Sequence, residues 1–205
     1  IRKENTDFIK LCLNPNLVHE ITLQPLKRFD LDAAIIFSDI LMIPYGLGQE
    51  VEFKKGIGPI LEDVDLDNII NTDPVDFVKK ILPVYKGIEQ VKKNLKEKDL
   101  IGFVGAPWTI LIYMINKQSP KKKLSKDFLK DKFIIDQLVL IIEKFLKIHI
   151  YNQTQNGATI IQIFDSWAGL LEEKDLNKYI YEPTRRIVNY VKSLNVPVIC
   201  FPRGI

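Results

Sequence analysis

Four short apolar runs bounded by turn-forming residues punctuate the chain, at residues 33–37, 100–104, 159–164 and 196–201. Their length and lack of polar alternation predict buried strands. The stretches between them carry a different rhythm. Residues 14–29 place Leu17, Ile21, Leu23 and Leu26 near helical spacing, and residues 136–151 repeat the pattern with Leu138, Ile142, Phe145 and Ile148. Residues 76–94 and 176–194 also read as helical, with Pro183 expected to start a fresh segment inside the latter.

Strands alternating with helices predict a parallel sheet, either closed as a (β/α)8 TIM barrel or open and doubly wound. Four strands are too few to close an eight-stranded barrel. Sequence repeats at solenoid periods are absent, and no Ser/Gly-rich linker divides the chain. Residues 44–74 carry Gly46, Gly48, Gly56, Gly58 and Pro59, too turn-rich for a helix and too long for an ordinary connection. They predict either a functional loop or a small hairpin lying over the sheet.

Composition narrows the class. With 205 residues, 46% hydrophobic and 27% charged, the chain is expected to bury a substantial core. A net charge of +3 argues against a strong field for nucleic acid, and the run Lys121-Lys122-Lys123 reads as a solvated loop. Cys12 and Cys200 stand far apart without metal-ligand spacing, which points to a reducing compartment, the cytoplasm, and away from a disulfide framework or zinc site. No apolar run approaches the roughly 20 residues that cross a bilayer. Neither a membrane span nor a secretory leader is expected, and the start at Ile1 and the break-off near Ile205 suggest that both ends are cut.

The chemistry gathers where the predicted strands stop. The run ending Ile36-Phe37-Ser38-Asp39-Ile40 sets a carboxylate directly after a strand, where parallel α/β architectures present reactive groups. A helix or turn cap is the plainer role for Asp39. The next strand ends in Gly105-Ala106-Pro107-Trp108-Thr109, with Tyr113 one helical turn further on. Gly105 suits close approach of a backbone or ligand, and Pro107 and Trp108 suggest an apolar loop wall. Core packing with a satisfied hydroxyl is the default for Tyr113. The third strand ends in Gln162-Ile163-Phe164-Asp165-Ser166-Trp167-Ala168-Gly169. Polar or aromatic residues at three strand ends suggest a pocket, without a phosphate loop or nucleophile elbow to name its reaction. His19 and His149 fall in helices beside apolar residues and read as structural.

The run Thr22-Leu23-Gln24-Pro25-Leu26 with Arg28-Phe29, continuing through residues 32–41, resembles the signature of the uroporphyrinogen decarboxylase family. The stretch from Gly102 to Met114 resembles its second block and that from Gln162 to Gly169 a third, in order along nearly the whole chain. The resemblance implies one (β/α)8 barrel, present here as a single domain over residues 1–205 lacking N- and C-terminal segments. It implies a homodimer that removes carbon dioxide from the four acetate side chains of uroporphyrinogen III, giving coproporphyrinogen III without metal or organic cofactor. By the same resemblance Asp39 accepts hydrogen bonds from the pyrrole N–H groups, Tyr113 sits beside a reacting acetate, Ser166 contacts a substrate carboxylate, and Ile35, Phe37, Phe103 and Phe164 line the cleft. The family's Arg-Gln-Ala-Gly-Arg-Tyr motif and a functional histidine are expected outside residues 1–205, and Asp165-Ser166-Trp167 stands where many members have Glu-Ser-His. Arg203 lies where it could reach a carboxylate or solvent. Two other readings are a zinc-dependent methyltransferase of the same superfamily, disfavoured by the lack of a His-x-Cys pair, and a non-catalytic barrel fragment. Four strands alone are expected to leave an open edge, inactivity and aggregation.

Overall fold

The computed structural model describes residues 1, 4–95, 97–120 and 131–205; the lysine run at 121–123 lies outside them. The chain opens with α1 (Phe8–Cys12) and α2 (Pro15–Arg28) before β1 (Ala33–Ile35). Then come α3 (Met42–Gly46), the antiparallel hairpin β2 (Val51–Lys54) and β3 (Gly58–Leu61), α4 (Leu66–Ile70) and α5 (Pro74–Asn94). Beyond these lie β4 (Asp99–Gly105), α6 (Pro107–Asn116), α7 (Lys132–Gln155), β5 (Ile160–Asp165), α8 (Glu173–Leu176), α9 (Glu182–Ser193) and β6 (Val198–Pro202). Local chemistry sets several of these starts. Asn14, Asp73 and Asp131 each accept a backbone N–H from the first turn of α2, α5 and α7, and proline occupies the first turn of α2 and α5, where its missing donor costs nothing. Pro183 likewise falls in the first turn of α9, after a π-helical turn at Asn177–Tyr181, so the predicted fresh segment forms there.

The four strands expected from the apolar runs make one parallel sheet in the order β1-β4-β5-β6. Register pairs Ile35 with Ile101, Phe103 with Gln162, and Phe164 with Phe201. One face carries Ala34, Ile36, Leu100, Val104, Ile161 and Ile163, all buried beneath the helices. Large side chains of α5, α6 and α7 fill that layer; Phe77 and Phe145 meet at 4.8 Å between ring centres, and Trp108 is fully buried. Full burial of each such side chain contributes about 2–3 kcal/mol.

The other face differs from the expectation of strands buried on both sides. Ile35 is 51% exposed, Ile199 43% and Phe201 54%, while Phe103 and Phe164 are half-buried. Apolar residues occupy both faces in sequence, but helices cover only one. Doubly wound sheets carry helices on both faces, whereas a barrel wall turns one face to the helices and the other inward. The arrangement is that of a (β/α)8 barrel segment.

Residues 44–74 contain the anticipated hairpin and, contrary to the expectation of no helix, two single-turn helices, α3 and α4. The hairpin packs against the end of α6: Leu61 N–H donates to Lys117 O at 2.8 Å, and Ile60 bridges to Gln118.

Candidate active site

β1, β4 and β5 are parallel neighbours, so Asp39, Tyr113 and Ser166, which follow their last residues, emerge at one end of the sheet. Beyond β1 the backbone leaves the ladder after Ile36 N–H donates to Ile101 O at 3.0 Å, and buried Thr22 of α2 takes the next amide, that of Phe37, at 2.9 Å. Asp39 follows, half-buried, with its Oδ1 accepting the Leu41 N–H at 2.8 Å. The plainer capping role is therefore present: this bond starts the turn that leads into α3. Burial pushes the Asp39 carboxyl up to about 6, and the Leu41 N–H pulls the other way without cancelling it.

The strand ends are locked side by side. A Cβ at Gly105 would lie 2.6 Å from Ile110 Cδ1 and 3.2 Å from Ile40 Cβ, so only glycine lets the Asp39 loop close on the end of β4. Protein side chains occupy the space that the glycine leaves, where the sequence had suggested a backbone or ligand. Ala106 N–H donates to Phe164 O at 2.8 Å, joining β4 to β5. Trp108 points into the core against Tyr179, with ring centres 5.5 Å apart, and donates to Trp167 O at 3.3 Å. It does not form the expected loop wall. Trp167 takes that place, its ring 6.1 Å from that of Tyr113 in an edge contact. Tyr113 is half-buried, and its hydroxyl accepts from Ser119 Oγ at 3.4 Å.

Ser166 is half-buried beyond the end of β5. Its neighbour Asp165 faces the opposite, helix-covered side, accepting a 2.7 Å bond from Thr109 Oγ1, while that same Thr109 oxygen accepts the Trp167 N–H at 3.2 Å. Burial pushes Asp165 up to about 6, the Thr109 hydroxyl lowering it in part. Ile35, Phe103 and Phe164 share the uncovered sheet face with Gln162, and Phe103 and Phe164 meet edge to face at 5.5 Å. Phe37 lies beyond β1 and packs against Phe8, with ring centres 5.6 Å apart. A cavity of about 250 Å³ lies where β5, β6 and α9 meet, lined among others by Ile163, Asp165, Val188, Cys200 and Phe201.

Both histidines are carried by helices. His149 is buried, hydrogen-bonded through Nδ1 to the Tyr85 hydroxyl at 3.0 Å, and held down to about 3 by burial, so it stays neutral. His19 is carried by α2. Arg203 is exposed, tied by its own N–H to Asp165 O at 3.0 Å. Among the described residues no three His, Cys, Asp or Glu side chains gather into a metal-holding group, and no helix among them is long and apolar enough to cross a membrane.

Sequence reasoning missed the Thr109–Asp165 bond and Ser119. Period-two alternation along β5 separates Asp165 from the site face, a signal present in the sequence. Ser119 had none, because its approach to Tyr113 depends on a chain reversal at Lys117.

Comparison with known proteins adds an independent line. Residues 1–205 match the family model described as uroporphyrinogen decarboxylase (URO-D). A curated uroporphyrinogen decarboxylase of Rickettsia bellii is 40% identical over 209 residues, covering 100% of this chain and 62% of that protein. One of Rickettsia rickettsii is 39% identical, covering 100% of this chain and 60% of its own length. The chain thus spans about three fifths of these relatives. Among solved structures, a methyltransferase from Methanosarcina mazei superposes with a TM-score of 0.73 at 17% identity, covering 92% of this chain and 56% of that one. At that identity the likeness speaks for the fold alone.

Proposed function

Because the chain belongs to the uroporphyrinogen decarboxylase family, we propose that the protein removes carbon dioxide from the four acetate side chains of uroporphyrinogen III to give coproporphyrinogen III. Residues 1–205 are then one part of a single barrel domain, in a protein that works in the cytoplasm as a homodimer. A methyltransferase reading has only fold-level support, at 17% identity.

The chemistry requires an electron sink. A pyrrole acetate loses carbon dioxide slowly because the departing electron pair has no acceptor; protonating the ring at carbon creates a cation that receives it. A carboxylate fixed beneath the ring stabilises this charge as it develops, and more strongly in a site shielded from water. Asp39 is the group proposed for that work, also accepting the pyrrole N–H groups and so holding the macrocycle. Its Oδ1 already serves Leu41, which leaves Oδ2 for the substrate. Pyrrole N–H donors would bring its pKa back down on binding and keep it ionised. Tyr113 orients or stabilises a reacting acetate through its hydroxyl, Ser166 contacts a substrate carboxylate, and Ile35, Phe37, Phe103 and Phe164 form the apolar wall against the macrocycle.

What supports the reading above all is the half-buried carboxylate of Asp39 in the turn beyond β1, with Tyr113 and Ser166 following the neighbouring strands β4 and β5 of the same parallel sheet. Its test is anaerobic incubation of the intact protein with uroporphyrinogen III and chromatography of the oxidised products. Stepwise appearance of porphyrins with seven, six, five and four carboxyl groups is expected. Recovery of only the eight-carboxyl starting material contradicts it.

A further inference from the structure

Tyr113 is not held by α6 alone. The helix ends at Lys117 in the left-handed conformation, with φ of 59°, and the chain beyond it brings Ser119 Oγ back to the Tyr113 hydroxyl. The reversal is pinned from several directions. Lys117 O accepts Leu61 N–H at 2.8 Å, Asn116 Nδ2 donates to Gln118 O at 2.7 Å, and Gln118 bridges to Ile60 of the hairpin. From the other side, buried Gln49 donates to Met114 O at 3.0 Å and to Glu62 O at 2.8 Å. Gln49 and the hairpin strand β3 with its successor Glu62 thus hold the chain around Lys117, beyond which one serine hydroxyl lies 3.4 Å from the phenol.

We propose that Ser119 is a positioning residue for the Tyr113 hydroxyl. This rests on the reading of Tyr113 given above. A phenol has one hydrogen and accepts through its oxygen lone pairs. With Ser119 donating to that oxygen, the phenol hydrogen is free to turn toward a substrate carboxylate, and each bond in the chain from serine to phenol to carboxylate polarises the next. Trp167 meets the ring edge to face, with ring centres 6.1 Å apart. The 3.4 Å separation shortens when a carboxylate draws the phenol hydrogen, as catalytic hydrogen bonds do on substrate binding. Ser119 touches no substrate in this account; it acts through Tyr113.

The test is a double-mutant cycle in the intact protein, comparing Ser119→Ala, Ser119→Thr, Tyr113→Phe and the combined Ser119→Ala/Tyr113→Phe variants on uroporphyrinogen. Ser119→Ala is expected to lower kcat about three- to tenfold with KM little changed, the effect of one neutral hydrogen bond. Ser119→Thr, which keeps the hydroxyl, should restore most of it, and in the Tyr113→Phe background Ser119→Ala should change nothing. An equal loss in both backgrounds overturns the proposal, since the serine would then act independently of the phenol. So does full activity of Ser119→Ala beside an impaired Tyr113→Phe, which leaves the role of Tyr113 standing. Full activity of Tyr113→Phe instead overturns that role itself, and the present proposal with it.

Discussion

Burial raises two carboxyls to about 6, that of Asp39 in the turn beyond β1 and that of Asp165 at the end of β5, with β4 between the two strands. Each uses one oxygen within the fold: Asp165 Oδ1 accepts from Thr109, whose own oxygen holds the Trp167 N–H, and Asp39 Oδ1 accepts from Leu41. The stability consequence for Asp39 follows from its raised pKa. Between its ordinary value of 3.8 and about 6 the folded protein binds more protons than the unfolded chain, so stability falls as pH rises through that window and stays lower above it. Asp39→Asn removes the buried charge yet retains the oxygen that Leu41 uses. The variant is expected to be more stable than the parent at pH 7, by on the order of 1–2 kcal/mol, with the difference vanishing near pH 4. Urea denaturation at the two pH values checks this; a less stable variant at pH 7 contradicts it. Asp39 was legible because a carboxylate directly after a buried run falls at the functional end of a parallel sheet. Trp108 was not, because sequence order near a helix start does not say which side of the helix faces the core; here Trp167 forms the wall and Trp108 fills the interior.

Helices and strands at this site depend on side chains that stand in for missing backbone partners. β1 departs after Ile36, so one edge of β4 at Phe103 loses its neighbour, and the Gln153 amide of α7 replaces it, accepting from Phe103 N at 3.0 Å and donating to Phe103 O at 2.9 Å. Gly102 is required beside it, since a Cβ there would fall 2.5 Å from Gln153 Oε1. Gln153→Leu strands both groups in a buried setting and is expected to cost about 2–4 kcal/mol, accompanied by faster amide exchange at Phe103. Unchanged denaturation would show that water or another group takes over. Element existence was readable from periodicity: each predicted strand and long helix has its counterpart within a few residues. Pro44 and Gly46 made α3 read as a turn, and both α3 and α4 are single helical turns, too short to show a period.

For the molecule as a whole, the decisive asymmetry is a sheet with helices on one face and aromatic and aliphatic side chains on the other. Alternation of strands and helices revealed the parallel sheet; which face the helices take cannot be read from strands that are apolar on both sides, and tertiary packing resolves it in favour of the barrel segment. With Ile35, Ile199 and Phe201 about half exposed, residues 1–205 prepared alone are expected to bind a hydrophobic dye and to self-associate. Ile199→Ser and Phe201→Ser should reduce both, as read by dye fluorescence and light scattering; a monomer that ignores the dye contradicts the exposed face. In the proposed function that same face is the wall against which the macrocycle lies, with Asp39 beneath it. The most direct measurement is turnover of uroporphyrinogen III by the intact Asp39→Asn protein, checked as folded by its thermal melt. A fall in kcat of about a hundredfold or more is predicted, and turnover within about twofold of the parent would contradict the electrostatic role on which the account depends.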